Sequence, residues 1–220
     1  MSASSGQEHG TGRNPAAGTG HPAPGADIVL SLPPQVPRTG RGPLARGFAR
    51  MLLRLGGWRM VGAFPDLPRA VLIGAPHSSN WDGIWGLAVK VALGIDVRIF
   101  AKHQLFWWPL GPLLRRMGVI EVNRDATKGL VEDIAQRFAE QDQLWIGIAP
   151  EGTRRRVERW KPGFWKIAKA AGVPIVPAYF HYPERIIGVG EPFVPGDDME
   201  ADIARIRAWY APWRGRNRGV

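Results

Sequence analysis

Residues 69–93, R-A-V-L-I-G-A-P-H-S-S-N-W-D-G-I-W-G-L-A-V-K-V-A-L, decide how this chain folds. The first seven form a short apolar run of the kind that makes a buried strand. From Asp82 onward the pattern reads as a helix. Between the two stand Pro76, His77, Ser78, Ser79 and Asn80, and Ser78, Ser79 or Asn80 can cap the helix that follows. His77 therefore sits at a strand exit and Asp82 in the first helical turn. Five helical residues turn through about 500°, so the pair would not share one face of a helix. A loop histidine can still fold back onto a first-turn aspartate. The aspartate then holds one ring nitrogen and fixes the tautomer, while the other nitrogen takes a proton. A hydrogen-bonded structural histidine is the alternative, and the spacing alone does not choose between them.

Outward from this unit, strands and helices alternate. D-V-R-I-F-A (96–101), V-I-E-V-N (119–123), L-W-I-G-I-A (144–149) and V-P-I-V-P-A-Y-F (173–180) read as strands. Residues 126–141 give the clearest amphipathic helix, with Leu130, Ile134 and Phe138 on one face. F-W-K-I-A-K-A-A (164–171) is a helix closed by Gly172, and a last helix covers roughly 198–211. This order predicts an α/β fold, a mixed, largely parallel sheet flanked by helices. In such sheets function collects at strand ends. Pro174 and Pro177 bracket a β-branched pair, which predicts an edge strand or an irregularity near Pro177.

Ahead of this domain, residues 1–42 are dominated by Gly and Pro, and are expected to be a disordered tail. The domain itself spans 43–220. Its first segment, 43–60, reads as an amphipathic helix ended by Gly56 and Gly57. Leu44, Phe48, Met51, Leu52 and Leu55 share one face, and Arg46, Arg50 and Arg54 another. With Trp58 at its end it suits a membrane surface. It equally suits an ordinary helix packed on the domain with solvated arginines.

The 220 residues carry a net charge of +10 and ten tryptophans. The charge calls for acidic partners: an anionic membrane surface, a phosphate-bearing ligand or nucleic acid. Tryptophan is at home in cores and at membrane interfaces. A single-strand nucleic-acid binder would interleave its basic and aromatic residues along a groove, so no nucleic acid is expected. There is no cysteine, which excludes disulfides, thiolate metal sites and a cysteine nucleophile. No apolar run is long enough for a transmembrane helix, and the N-terminus does not read as a secretory signal.

Two further stretches carry chemistry. A-P-E-G-T-R-R-R, 149–156, follows an apolar strand. Gly152 permits close backbone approach, and Thr153 and three arginines follow. That is the composition of a phosphate or carboxylate site, or of a tight basic turn with solvated arginines. Glu151, amid this positive charge, should be ionised and paired. The second stretch, 102–125, runs from Lys102 at one strand end to Arg124 at another. Between them lies a Trp-, Leu- and Pro-rich segment, either an apolar wall for a chain-like substrate or a hydrophobic hairpin. No G-x-S-x-G elbow, metal-ligand pattern or P-loop is present.

Four blocks in order, H-x4-D (77–82), a basic residue after G-V-I-E-V-N, P-E-G-T-R (150–154) and V-P-I-V-P (173–177), resemble the glycerolipid (lysophospholipid) acyltransferase superfamily over residues 70–180. Its best-known members are 1-acyl-sn-glycerol-3-phosphate acyltransferases. The resemblance implies that His77 is the general base and Asp82 its orienting acid. It implies that Arg124 and the block Glu151, Gly152, Thr153 and Arg154 serve the acceptor's phosphate, with Lys102 a weaker match and Pro177 lining the acyl or acceptor pocket. It implies no metal and no cofactor, with acyl-CoA or acyl carrier protein as co-substrate. The expected partners are a lipid acceptor and an anionic membrane surface. The protein would lie peripherally on the cytoplasmic face of a membrane, or in the cytoplasm. Two alternatives remain: another lipid acceptor (a different lysophospholipid, an aminolipid or a glycolipid precursor), or a non-catalytic basic membrane-surface protein.

Overall fold

The computed structural model describes residues 32–122 and 129–220. The unit of residues 69–93 folds as its pattern predicts. Strand β2 (Arg69–Ala75) runs into helix α2 (Asn80–Leu93). Around it lie helix α1 (Pro43–Leu55), β1 (Arg59–Val61), β3 (Val97–Lys102), α3 (Leu110–Arg116), β4 (Val119–Val122), α4 (Leu130–Glu140), β5 (Leu144–Ile148), α5 (Gly163–Ala171), β6 (Ile175–His181), β7 (Ile186–Val189) and α6 (Met199–Tyr210). The seven strands form one sheet in the order β1-β7-β6-β2-β5-β3-β4. All neighbours are parallel except β6 and β7.

Both faces of the sheet are covered, so its strands alternate between two cores. Val71, Ile73 and Ala75 of β2, Leu144 and Ile146 of β5, and Ile175 and Tyr179 of β6 face one core. Residues from α4, α5 and α6, among them Phe138, Phe164 and Tyr210, fill that core. Ala70, Trp145 and Val176 face the other core, with Ala49 and Leu53 of α1 and Leu93 of α2. Trp145 is fully buried, and its indole N–H donates to the Leu67 carbonyl at 2.9 Å.

Three expectations are corrected. The tail does not extend to residue 42. Its portion 1–31 lies outside the described residues, but Leu32 and Val36 insert into the second core, and Arg38 bridges to Ile95. Two apolar side chains four residues apart in a Pro-rich stretch carry no periodic signal, so composition alone hides them. The strand of V-P-I-V-P-A-Y-F is interior, not an edge. Pro177 is tolerated there because its carbonyl, which accepts from the Gly190 N–H at 2.9 Å, points toward β7. The missing N–H therefore points the same way, where the β6–β7 ladder starts only at Ala178 opposite Val189.

The third correction concerns α1. It packs through Ala49 and Leu53, while the face bearing Leu44, Phe48, Met51, Leu52 and Leu55 is exposed. Two of its arginines are not solvated. Arg46 donates to the Leu93 carbonyl at 2.9 Å and Arg50 to the Ala92 carbonyl at 3.2 Å. They satisfy carbonyls left over at the C-terminal end of α2, where a cation also meets the favourable end of the helix dipole. Anchored in this way, α1 turns its apolar stripe outward.

Candidate active site

β2 delivers His77 to the C-terminal edge of the sheet, two residues after Ala75. Ser79 caps α2: its hydroxyl accepts the Trp81 N–H at 3.2 Å. Asp82 completes the cap from inside the first turn. Its Oδ2 accepts the Ser78 N–H at 2.7 Å and the Ser79 N–H at 2.8 Å. A reciprocal cap of this kind bends the loop back over the helix start. That bend brings His77 Nδ1 to 3.4 Å from the same Oδ2. Asp82 is buried and the His77 side chain 30% exposed, so one ring edge meets the carboxylate and the other meets the solvent side.

The second Asp82 oxygen accepts the Tyr182 hydroxyl at 2.6 Å. Burial pushes the Asp82 carboxyl up. The hydrogen bonds from His77, Tyr182 and the Ser79 N–H outweigh it and hold the group below its ordinary value. Asp82 is thus a fixed negative charge. Burial and the Asp82 carboxylate both raise the Tyr182 hydroxyl well above its usual range, so it stays a donor. The Tyr182 ring packs edge-on against Trp58, centroids 4.9 Å apart.

The turn after β5 approaches from the neighbouring strand. Glu151 is fully buried, and its Oε1 accepts the His77 N–H at 2.9 Å. Its Oε2 pairs with Arg218. Burial is the larger influence and raises the Glu151 carboxyl, against the pull of Arg218 and the His77 N–H. Glu151 therefore supports the His77 loop and is not a phosphate ligand, which corrects the role that the resemblance implied. An anion would also be repelled by it.

Gly152 has φ +67°, the left-handed conformation that lets the chain turn directly after Glu151. Thr153 Oγ1 accepts the Arg155 N–H at 3.3 Å, and Arg154 is exposed and bonded to Asn80 Oδ1. The E-G-T-R turn and the H-x4-D loop are thus in direct contact. Lys102 ends β3 at the same edge of the sheet, two strands from β2. Arg124 lies outside the described residues. Pro177 is not brought to the site: it is buried in mid-sheet in register with Ile73, four residues short of His77.

Three residues of this network have no motif to announce them: Tyr182, Asn217 and Arg218. Tyr182 follows the fourth block directly, but nothing local links it to Asp82. The run R-G-R-N-R-G, 214–219, looks like a solvated basic segment. Arg216 does stand outside, 5.3 Å from the centre of the exposed Trp81 ring.

Among the described residues, no helix is long and apolar enough to cross a membrane, and no group of three acidic or histidine residues is placed to hold a metal. A cleft of about 520 Å³, bordered by Leu67, Val173, Pro174 and Val194, opens at the opposite end of the sheet, where β2 and β6 begin. It is remote from His77.

The doubly covered α/β sheet thus presents a histidine held by a buried aspartate at a strand exit, with a basic turn beside it. Residues 60–181 match the Acyltransferase family, and the chain belongs to that family. The fold is also similar to the crystal structure of the 1-acyl-sn-glycerophosphate (LPA) acyltransferase PlsC from Thermotoga maritima. The TM-score is 0.53 at 16% identity, covering 78% of this chain and 80% of that one. No curated protein sequence matches significantly.

Proposed function

We propose that the protein is an O-acyltransferase that moves a fatty acyl group from an acyl thioester, of coenzyme A or acyl carrier protein, to the hydroxyl of a lysophospholipid. The leading acceptor is 1-acyl-sn-glycerol-3-phosphate. The observation that carries this reading is the His77–Asp82 pair: a partly exposed imidazole whose Nδ1 lies 3.4 Å from a buried carboxylate held below its ordinary value. Asp82 holds the proton on Nδ1 and leaves Nε2 to take one. Nε2 removes the proton of the acceptor hydroxyl as its oxygen attacks the thioester carbonyl. The tetrahedral adduct collapses, the C–S bond breaks, and the thiolate recovers the proton from the imidazolium. No enzyme nucleophile is required. General base catalysis of this kind contributes ~10²–10⁴-fold.

The surroundings support a phosphate-headed lipid. Arg154 and Arg216 lie exposed beside the two loops. The apolar stripe of α1, with Trp81 and Ile84 of α2 and the exposed pair Trp107 and Trp108, suits seating on a membrane from which a lysolipid would be drawn. Full burial of an exposed large apolar side chain contributes ~1.5–3 kcal/mol, and Leu44 and Leu55, the most exposed of the five, have the most to gain. A cytoplasmic-face location suits the proposed thioester donors. One observation favours a second acceptor class, a headgroup without a free phosphate: Arg218, the arginine bonded to the His77 carbonyl, is already committed to Glu151 and to backbone carbonyls.

The test mixes purified protein with long-chain acyl-CoA or acyl carrier protein and a panel of acceptors, with His77→Ala as control. Transfer to 1-acylglycerol-3-phosphate that is lost in the variant is expected. Equal transfer by the variant sinks the mechanism, and transfer only to phosphate-free acceptors moves the second class to the front.

A further inference from the structure

The mechanism uses His77 and Asp82 but does not explain what holds the histidine loop against the turn after β5. The chain beyond α6 does this, and it lies outside the 60–181 stretch that marks the family. After α6 the backbone returns to the strand ends. The Arg214 N–H donates to His181 Nδ1 at 3.1 Å, and the Arg214 carbonyl accepts the Tyr182 N–H at 2.9 Å. The segment then closes on itself through Gly215 N–H to the Arg218 carbonyl at 2.9 Å. Asn217 grips the histidine loop twice: its N–H donates to Ser78 Oγ at 3.2 Å, and its side-chain amide to the Ser78 carbonyl at 2.8 Å.

Arg218 enters between the two loops with its side chain only 16% exposed. Its guanidinium donates to Glu151 Oε2, to the His77 carbonyl at 3.3 Å and to the Arg155 carbonyl at 2.8 Å, with Nε at 3.4 Å from the Arg154 carbonyl. Glu151 in turn takes the His77 N–H. The result is a closed ring: His77 N–H to Glu151, Glu151 to Arg218, Arg218 back to the His77 carbonyl. Both polar backbone groups of the base are therefore held by one buried ion pair. Three of these contacts converge on one nitrogen, Nη2, while Nε faces the Arg154 carbonyl and Nη1 donates to the Gly219 carbonyl at 2.8 Å, so all three guanidinium nitrogens are engaged.

We infer that Arg218, carried by the segment 214–219, is a positioning residue for His77, and that this segment completes the active site. The inference rests on the acyl-transfer reading for its kinetic arm only. A base displaced by about 1 Å loses on the order of 10²-fold in rate.

The experiment compares wild type with Arg218→Ala, Arg218→Lys and the milder Asn217→Ala by acyl-transfer kinetics. In parallel, the rate of His77 modification by diethyl pyrocarbonate is read peptide by peptide. Arg218→Ala is expected to lower kcat about 10²-fold with acceptor KM within about twofold. Arg218→Lys, which keeps the charge but loses the Nε and Nη1 donors, is expected to recover only part of the loss, and Asn217→Ala to fall between wild type and Arg218→Ala. His77 modification is expected to change at least about threefold in Arg218→Ala, while exposed His103 is unchanged. A kcat within twofold of wild type in a folded Arg218→Ala protein overturns the inference. So does a loss confined to KM, which would make Arg218 a substrate ligand. If Arg218→Ala does not fold, Arg218→Lys and Asn217→Ala decide by the same kcat and His77 readouts. If wild type transfers no acyl group at all, the functional reading fails, and the His77 modification rates alone decide the positioning role: unchanged rates overturn it.

Discussion

The loop after β2 and the turn after β5 lie at the same edge of the sheet, on adjacent parallel strands, and each follows a buried apolar run. They are built differently. The β2 loop is largely self-contained: Ser79 and Asp82, three residues apart, cap α2 and fold His77 back onto the carboxylate. The β5 turn is not. Its Glu151 reaches the His77 N–H on one side and Arg218, sixty-seven residues later, on the other. A histidine–carboxylate pair can be encoded within six residues of chain because helix capping is local. Its alignment with the neighbouring turn needs a bridge that only the folded chain supplies.

On the proposed function, the first loop carries the chemistry and the exposed part of the second handles the substrate, and this division can be broken. The largest effect is expected from His77→Ala, a kcat loss of ~10²–10⁴-fold with folding retained, read by acyl-transfer kinetics and circular dichroism. Arg154→Ala should instead raise KM for phosphate-headed acceptors roughly tenfold, through one lost charge-assisted contact, and leave kcat nearly unchanged. Reversal of this kcat/KM division would overturn the assignment.

Asp82→Asn should destabilise the protein by ~1.5–3 kcal/mol at neutral pH, the range for hydrogen bonds to a charged group. Because the folded-state carboxyl lies below its ordinary value, that stabilisation is present above the unfolded value of 3.8 and lost as pH falls through the folded one. Denaturation midpoints of wild type and variant should therefore converge in acid. A gap that stays constant with pH would mean that the charge is not what Asp82 contributes. Tyr182→Phe, which removes one donor from the same carboxylate, should cost about 1–2 kcal/mol and several-fold in kcat. The smallest change in stability, within about 0.5 kcal/mol, is expected for Leu44→Ser with Leu55→Ser on exposed α1. Their effect should appear in sedimentation with anionic vesicles, and undiminished binding would remove α1 from the membrane reading.

Much was legible before any coordinates. Alternating strand and helix periods, a cap at one of Ser78, Ser79 or Asn80 and the first-turn place of Asp82 are properties of neighbouring residues. They survive in the structure, as does the helix around Leu130, Ile134 and Phe138. Local pattern misled where burial depends on distant packing. Leu32 and Val36 look like part of a tail, and Pro177 looks like an edge. Arg46 and Arg50 look solvated, yet they complete another helix.

The amino-acid sequence by itself determined the α/β alternation, the place of His77 at a strand exit and of Asp82 in the first helical turn, and the amphipathic character of α1, because hydrophobic period and capping act over a few residues. Only the tertiary structure decided which face of α1 is outward, that Glu151 serves the histidine loop, and that Tyr182, Asn217 and Arg218 belong to the site. Those outcomes depend on hydrogen bonds and ion pairs closed across about 40 to 140 residues of chain, and no local spacing records which distant partner will satisfy a buried polar group.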